Sequence, residues 1–157
     1  MRDGPALFLA DIEMEKNTYN FNVKLAGLVI NIETCYEYTR KLFYDYVCDA
    51  SEKVDITVRF CDTELAEEAA NDPAYPEFYH ESLLVYRKIC TAIIEHNAML
   101  IHSSAVSLDN EAYLFTAPSG TGKSTHTRLW REHFGERALM INDDKPIVRE
   151  RDGRFFV

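Results

Sequence analysis

The sequence lacks the closely spaced cysteines and the excess of basic residues that mark several classes of protein. Its four cysteines include no Cys-x-x-Cys pair, which favours reduced, mostly buried thiols over a zinc site or a disulfide framework. Lys and Arg number 17 against 26 Asp and Glu, for a formal net charge of −9. Such an acidic chain is not expected to have a nucleic-acid backbone as its main partner.

Long apolar runs are also missing, since no segment approaches the roughly 20 residues needed to span a bilayer. The apolar stretch 6–10 is too short, and too soon followed by Asp11, to be a signal peptide. With 46% hydrophobic and 27% charged residues, the composition is that of a packed protein. We therefore expect one soluble, cytoplasmic protein of about one domain, with no membrane partner.

The most informative stretch that is present runs from Ala117 to Thr125 and reads Ala-Pro-Ser-Gly-Thr-Gly-Lys-Ser-Thr, after the apolar run 112–115. A strand, a glycine-containing loop ending in Gly-Lys-Ser and a helix, in this order, are typical of a phosphate-binding loop (P-loop, Walker A). Gly120 and Gly122 let successive N–H groups point at phosphate oxygens. The alternative is an ordinary Gly/Ser-rich turn. The predicted nucleotide-binding residues are Ser119, Gly120, Thr121, Gly122, Lys123, Ser124 and Thr125.

Two of these residues have chemical roles in the motif beyond the shape of the loop. Lys123 would bring a full positive charge to the β- and γ-phosphates, and the Ser124 hydroxyl can ligate Mg²⁺. A helix that begins near Lys123 adds the partial positive charge of its N terminus. The expected cofactors are therefore ATP and Mg²⁺.

A second candidate group is the acidic pair Asp143 and Asp144, which follows the apolar, strand-like stretch 138–141. Mg²⁺ takes oxygen ligands and keeps several waters, so one or two carboxylates suffice beside a nucleotide. Strand alternation would point Asp143 and Asp144 in opposite directions, so at most one faces the nucleotide directly. That carboxylate could bind Mg²⁺ through water or act as a general base, or the pair could simply form a turn.

His102 is the third candidate, within the strand-like stretch 99–108. Alternation along a strand puts His102 on the same face as Leu100, Ser104 and Val106. If this strand neighbours the strand that leads into the loop, the imidazole could reach a terminal phosphate. Otherwise His102 is a satisfied core residue.

The order of strand-like and helix-like stretches predicts the fold class. Helices are predicted over 33–49, 62–70, 79–96 and 122–134, and strands over 21–25, 28–30, 54–60, 99–108, 112–116, 138–141, 147–149 and 155–157. The short turn 109–111 should make its two strands antiparallel. We predict an α/β fold with a mixed, partly antiparallel sheet, flanking helices and a P-loop. Residues 1–97 would form an N-terminal strand-and-helix region, and residues 98–157 a nucleotide-binding core.

Three motifs in this order resemble the catalytic core of the HPr kinase/phosphorylase family. The likeness is closer to its bacterial relatives of unassigned substrate, a group that shares a fold with the ATP-type phosphoenolpyruvate carboxykinases. The motifs are His102 to Val106, Phe115 to Thr125 and Ile141 to Pro146. The resemblance implies an ATP-dependent phosphotransferase that moves the γ-phosphoryl group to a hydroxyl of a protein, peptide or small molecule.

The resemblance also implies roles for individual residues. Lys123 would hold the β- and γ-phosphates, Asp143 would be the general base, and His102 would lie close to the transferring group. Ser124 and Asp144 are the expected Mg²⁺ ligands. The family continues beyond the position of Val157, so the nucleotide-binding core is expected to be incomplete, truncated at its C-terminal end.

The chain departs from the family pattern at two positions. Ala117 replaces the first glycine, and Thr125 stands where the HPr kinases have an acidic residue, so the resemblance does not identify HPr as the acceptor. Two alternatives stay open. One is a carboxykinase-like enzyme with an added transition-metal site, and the other is a nucleotide-binding or assembly module without catalysis. The aromatic-rich N-terminal half could also expose an interface for a second copy of the chain.

Overall fold

The computed structural model describes residues 12–157, and the stretch 6–10 that bears on the absence of a signal peptide lies outside them. The chain forms two units, the first ending at Ala92 and the second running from Ile93 to Val157. The sequence predicts this division slightly later, at residue 97. Within the described residues, no helix is both long and apolar enough to cross a membrane.

The first unit contains a three-stranded sheet in the order β1-β2-β3 and three α-helices. Its strands are β1 (Tyr19–Leu25), β2 (Leu28–Thr34) and β3 (Ile56–Val58), and its helices are α1 (Glu37–Leu42), α2 (Asp62–Asn71) and α3 (Glu77–Ala92). The first two strands are antiparallel, whereas β2 and β3 are parallel. The hairpin turns at Ala26 and Gly27, both with positive φ. This turn geometry matches the right-handed twist of the strands that it joins.

One helix of the first unit is shorter than the aromatic spacing predicts. The predicted helix 33–49 is wrong in its extent, since only Glu37–Leu42 is α-helical and a single 3-10 turn follows at Tyr44–Tyr46. The cause is competition with the sheet, because Thr34 pairs with Tyr19 as the last residue of β2. Tertiary pairing here overrides the local helical pattern.

The second unit contains two further three-stranded sheets, in the orders β4-β8-β9 and β6-β5-β7. Its strands are β4 (Ala98–Leu100), β5 (Ser104–Leu108), β6 (Glu111–Phe115), β7 (Ala138–Asn142), β8 (Ile147–Arg151) and β9 (Arg154–Phe156), and its helix is α4 (Lys123–Phe134). Every strand pair in these two sheets is antiparallel. The fold is therefore mixed α and β with small, partly antiparallel sheets, as the sequence predicts at this coarse level.

The predicted single strand 99–108 is wrong, because the structure divides it between two sheets. β4 pairs with β8, and β5 pairs with β6 and β7. Between them, the amides of Ile101 and Ser103 donate to the carbonyls of Pro146 and Asp144 at 3.0 Å each. Pro146 has no N–H to return, so a regular ladder cannot continue through it. The chain changes sheets at this point.

A buried carboxylate joins two elements of the first unit. Glu81 of α3 is 0% exposed and accepts hydrogen bonds from the amide of Cys35 (2.6 Å), the amide of Tyr36 (3.2 Å) and the hydroxyl of Thr39 (2.6 Å). Burial raises the pKa of Glu81 above its usual value of 4.5, while the three hydrogen bonds act to lower it. The carboxyl therefore connects α3 to the start of α1.

This pKa shift predicts how stability depends on pH. A carboxyl whose pKa is raised by folding favours the folded state below its unfolded pKa, and that contribution is lost as pH rises through the folded pKa. We expect the free energy of unfolding of the native protein to fall relative to that of Glu81→Gln as pH increases from about 4.5, the usual glutamate value. Urea unfolding at several pH values measures the difference.

The exposed glutamate Glu67 on α2 provides the control for this experiment. Glu67→Gln should keep the pH dependence of the native protein, because an exposed carboxyl loses little hydration on folding. If Glu81→Gln and Glu67→Gln show the same pH dependence, burial does not govern the ionisation of Glu81.

Candidate functional site

The loop between β6 and α4 has the backbone geometry that its glycines predict. Gly120 has φ 80° and Gly122 has φ 99°, both in the region that favours glycine. Gly122 is also the residue before the first turn of α4. Ala117, where the motif usually has glycine, is not among the positive-φ residues. A side chain at that position therefore causes no backbone strain.

Lys123 folds back over this loop from the first position of α4. Its ammonium donates a hydrogen bond to the carbonyl of Ala117 at 2.9 Å, so the side chain spans the loop from its end to its beginning. Thr121 closes a turn inside the loop, since its hydroxyl donates to the carbonyl of Pro118 at 2.7 Å. The positive charge thus lies over the backbone of the loop and not out in solvent.

The N terminus of α4 is open to an anion. In the described chain, no side chain caps it and its first turn contains no acidic residue. The side chains of Ser124 and Thr125 in this turn are exposed. Uncapped N–H groups and the helix dipole attract negative charge at such a position. The loop, the helix end and Lys123 together suit an anionic group such as a phosphate.

The strand order brings the acidic pair to the same edge of the sheet as the loop. β5 lies between β6 and β7 and is antiparallel to both. In the register, Ser104 at the start of β5 pairs with Phe115 at the end of β6, and Ala105 pairs with Asn142 at the end of β7. The loop after Phe115 and the acidic pair after Asn142 therefore leave the sheet at the same edge, the one formed by the ends of β6 and β7 and the start of β5.

Two buried hydroxyls connect Asp143 to the helix that carries Lys123. Ser104 donates to the Asp143 carboxylate at 2.5 Å, and the Ser104 and Thr127 hydroxyl oxygens lie 2.8 Å apart. Ser104 and Thr127 are each 0% exposed. Each hydroxyl has one hydrogen, so if Ser104 donates to the carboxylate, a hydrogen bond between the two hydroxyls requires Thr127 to donate to Ser104. The Ser124 carbonyl, 3.2 Å from the Thr127 hydroxyl, is a longer alternative acceptor. This chain of hydrogen bonds fixes Asp143 relative to α4.

The sequence by itself predicts no role for Ser104 or Thr127. Ser104 shares the predicted strand face of His102 and lies within the motif His102 to Val106, whereas Thr127 belongs to none of the three motifs. A signal for Thr127 does exist in the sequence, because it lies four residues after Lys123 and so on the same helix face. No local pattern connects Ser104 with Asp143, which is 39 residues away.

His102 lies outside the strand that the sequence predicts for it. It precedes β5, is exposed, and its Nε2 lies 3.4 Å from a carboxylate oxygen of Asp144. The same carboxylate lies 3.4 Å from the Lys145 ammonium. His102 is therefore neither a core residue nor on the same strand face as Ser104. It belongs to the same edge as Asp144.

Asn142 shapes the turn that presents the two acids. Its side-chain oxygen accepts hydrogen bonds from the amides of Asp144 (2.9 Å) and Lys145 (2.7 Å), which is an Asx turn. The strand ends here, so strict alternation does not govern Asp143 and Asp144. Asp143 turns toward Ser104, and Asp144 turns toward His102.

The oxygen groups at this edge fit a hard divalent cation better than a transition metal. Between residues 12 and 157, the structure contains no group of three or more His, Cys, Asp or Glu that could hold a metal ion. Mg²⁺ needs fewer protein ligands, because it keeps several waters and shares its remaining positions with phosphate oxygens. The exposed Ser124 hydroxyl and Asp144 carboxylate are ligands of this type.

Comparisons with known proteins identify no relative: no family model, curated protein or solved structure matches this chain.

Proposed function

We propose that this protein binds ATP with Mg²⁺ and transfers the γ-phosphoryl group to a hydroxyl of a protein, peptide or small molecule. One observation carries the proposal. The antiparallel pairing of β5 with both β6 and β7 brings the glycine loop, Lys123 and the acidic pair to one edge of one sheet. This is the combination that phosphoryl transfer needs, a phosphate grip beside a carboxylate.

The phosphate chain of ATP would lie across the loop and the N terminus of α4. Lys123 would exchange its hydrogen bond with the Ala117 carbonyl for the β- and γ-phosphates, which are stronger acceptors because they are charged. The backbone amides near Gly122 and the helix dipole would neutralise further negative charge. The HPr kinase-like P-loop assignment belongs to this proposal.

Ser124 and Asp144 would hold Mg²⁺. When bound, the ion would neutralise the negative charge that develops on the transferring phosphoryl group. Asp144 is exposed, and its carboxylate oxygens lie 3.4 Å from the His102 imidazole and 3.4 Å from the Lys145 ammonium. These longer contacts are more easily exchanged than close ion pairs, because attraction between charges weakens with distance.

Asp143 would be the general base that takes the proton of the acceptor hydroxyl. Its hydrogen bond from Ser104, which is itself joined to Thr127, orients one carboxylate oxygen. A base fixed to the same helix that begins at Lys123 needs little rearrangement at the moment of reaction. Positioning of this kind supplies much of the rate enhancement in phosphoryl transfer. His102, at the same edge, would lie near the transferring group.

The proposal is tested first by binding. In isothermal titration calorimetry we expect ATP to bind in the presence of Mg²⁺ and to lose roughly tenfold or more in affinity with EDTA, the size of one lost charged contact. The result that contradicts the proposal is an ATP affinity that is absent or the same under both conditions. An EDTA buffer brought to equal ionic strength with KCl controls for general charge screening.

Transfer is tested with γ-labelled ATP and an array of peptides with Ser, Thr and Tyr. We expect label on a subset of the hydroxyl peptides and none on peptides that have alanine in their place. If ATP binds but no label is transferred to any peptide or to water, the proposed transfer activity is wrong. The protein would then be a nucleotide-binding module without catalysis.

A further inference from the structure

A cluster of aromatic rings lies beside the candidate loop in the second unit. We call it the aromatic face, and it comprises Tyr113 and Phe115 of β6 with His126 and Trp130 of α4. The ring centroids of Phe115 and His126 are 4.6 Å apart, and those of Tyr113 and Trp130 are 4.9 Å apart. The ring centroids of Phe115 and Trp130 are 5.2 Å apart, so the four rings form one continuous cluster. These distances are typical of rings in direct contact.

The aromatic face is only partly covered by the protein. Tyr113 is 40% exposed, His126 is exposed, and Phe115 and Trp130 are half-buried. β6 is the edge strand of its sheet, so within the described residues no further strand covers this side. The buried core of this sheet lies elsewhere, at Ala105, Val106 and Ala138. The cluster therefore presents aromatic surface to solvent.

The two elements that flank the loop, β6 and α4, also carry the aromatic face. Phe115 ends β6 directly before the loop, and α4 begins at Lys123 directly after it. His126 follows Lys123 by three residues, a rise of about 4.5 Å along the helix. A molecule whose phosphates lie at the helix N terminus would extend over the first turns of α4 or over β6. In either of these directions, the molecule would meet the aromatic face.

We propose that the aromatic face stacks the base of the bound nucleotide, an inference that rests on the proposed function. Base stacking on aromatic rings does not depend on a particular pattern of hydrogen bonds and therefore tolerates different bases. His126, the exposed ring closest in sequence to Lys123, forms the main contact, supported by Phe115 and Trp130 behind it. The site then accepts purine nucleoside triphosphates generally, with little discrimination between adenine and guanine.

Trp130 is the only tryptophan of the chain, so intrinsic fluorescence reports directly on this surface. The experiment titrates the protein with ATP, GTP and inorganic tripolyphosphate, each with Mg²⁺. ATP and GTP should quench Trp130 and bind within about threefold of each other, and both should bind roughly tenfold or more tightly than tripolyphosphate. Tripolyphosphate should bind without comparable quenching of Trp130. Calorimetry measures its binding independently of fluorescence.

Variants of His126 separate stacking from the phosphate grip. His126→Ala should weaken ATP and GTP about tenfold and leave the affinity for tripolyphosphate unchanged. His126→Phe should restore binding, since it keeps a planar ring. His133→Ala is the matched control: His133 is exposed on the last turn of the same helix, against Phe134, and its loss should change no affinity. Because His126 is exposed, all three variants should keep the native melting temperature.

The outcomes distinguish this inference from the proposed function. If tripolyphosphate and ATP bind equally well and His126→Ala affects neither, the aromatic face is a packing feature and the inference is wrong, while the phosphate site stands. If none of the three ligands binds, the proposed function itself fails. A large preference for one purine would also contradict stacking without base readout.

Discussion

Replacement of Lys123 by alanine should weaken the binding of MgATP about a hundredfold. The lysine is the one side chain of the loop with a full positive charge, and in the structure it already lies over the loop, against the Ala117 carbonyl. A hydrogen bond to a charged group contributes about 1.5–3 kcal/mol, and 2.8 kcal/mol is about a hundredfold in affinity. Calorimetric titration of the purified variant measures the change.

A matched lysine shows whether the loss is specific to the loop. Lys53 is exposed in the first unit, between α1 and β3, and Lys53→Ala removes the same charge from the chain. That variant should bind MgATP like the native protein, apart from a small effect of net charge that salt screens. Equal affinities for Lys123→Ala and the native protein would show that the loop is not a phosphate site.

Asp143→Asn should slow transfer of the γ-phosphoryl group by about a hundred- to ten-thousandfold, the usual contribution of a general base. Asparagine has nearly the same shape, and its side-chain oxygen can still accept the hydrogen bond from Ser104. The substitution therefore removes the basic group but keeps its position. ATP affinity should change little. Single-turnover measurements with γ-labelled ATP separate the chemical step from binding.

The control for this variant is an aspartate away from the acidic pair. Asp152 lies in the β8–β9 turn with φ 55°, a conformation that asparagine also adopts readily. Asp152→Asn should keep the native rate. A rate for Asp143→Asn within a few-fold of that control would remove Asp143 from the proposed chemistry and leave positioning alone to explain the reaction.

Much of the local structure could be predicted from neighbouring residues. The Asp109–Asn110 turn has positive φ at both residues, 50° and 70°, as the short connection requires. The helix after the loop begins at Lys123 and ends before Gly135, close to its predicted limits. Such features depend on short stretches whose residue types allow few alternatives.

Other parts of the fold could not be predicted in this way. The stretch 99–108 has the composition of one strand, yet it serves two sheets because residues 101–103 face the turn at Pro146. For that reason, His102 lies outside its predicted strand and beside Asp144. The periodicity of apolar residues predicts that a segment forms a strand, but it does not predict which strand pairs with it. Here the pairing partners determine where the strand ends.

The candidate site shows the same division. Its glycine loop, the lysine and the acidic pair are recognisable in the sequence, because each of these features consists of residues that are adjacent along the chain. The hydrogen bonds among Ser104, Thr127 and Asp143 join residues 23 and 39 positions apart. The register of β5 with β7 brings Ser104 to Asp143, and the packing of α4 against β5 brings Thr127 to Ser104. No spacing in the chain predicts either contact.

By itself, the sequence determined a mixed α and β chain with a glycine-containing loop between a strand and a helix. Those properties follow from the conformational freedom of glycine and from the spacing of apolar residues. The tertiary structure decided which side chains share one edge of the sheet, and how the aromatic rings of β6 and α4 meet beside the loop. Long-range packing sets these contacts, because they depend on the pairing of strands that are distant along the chain.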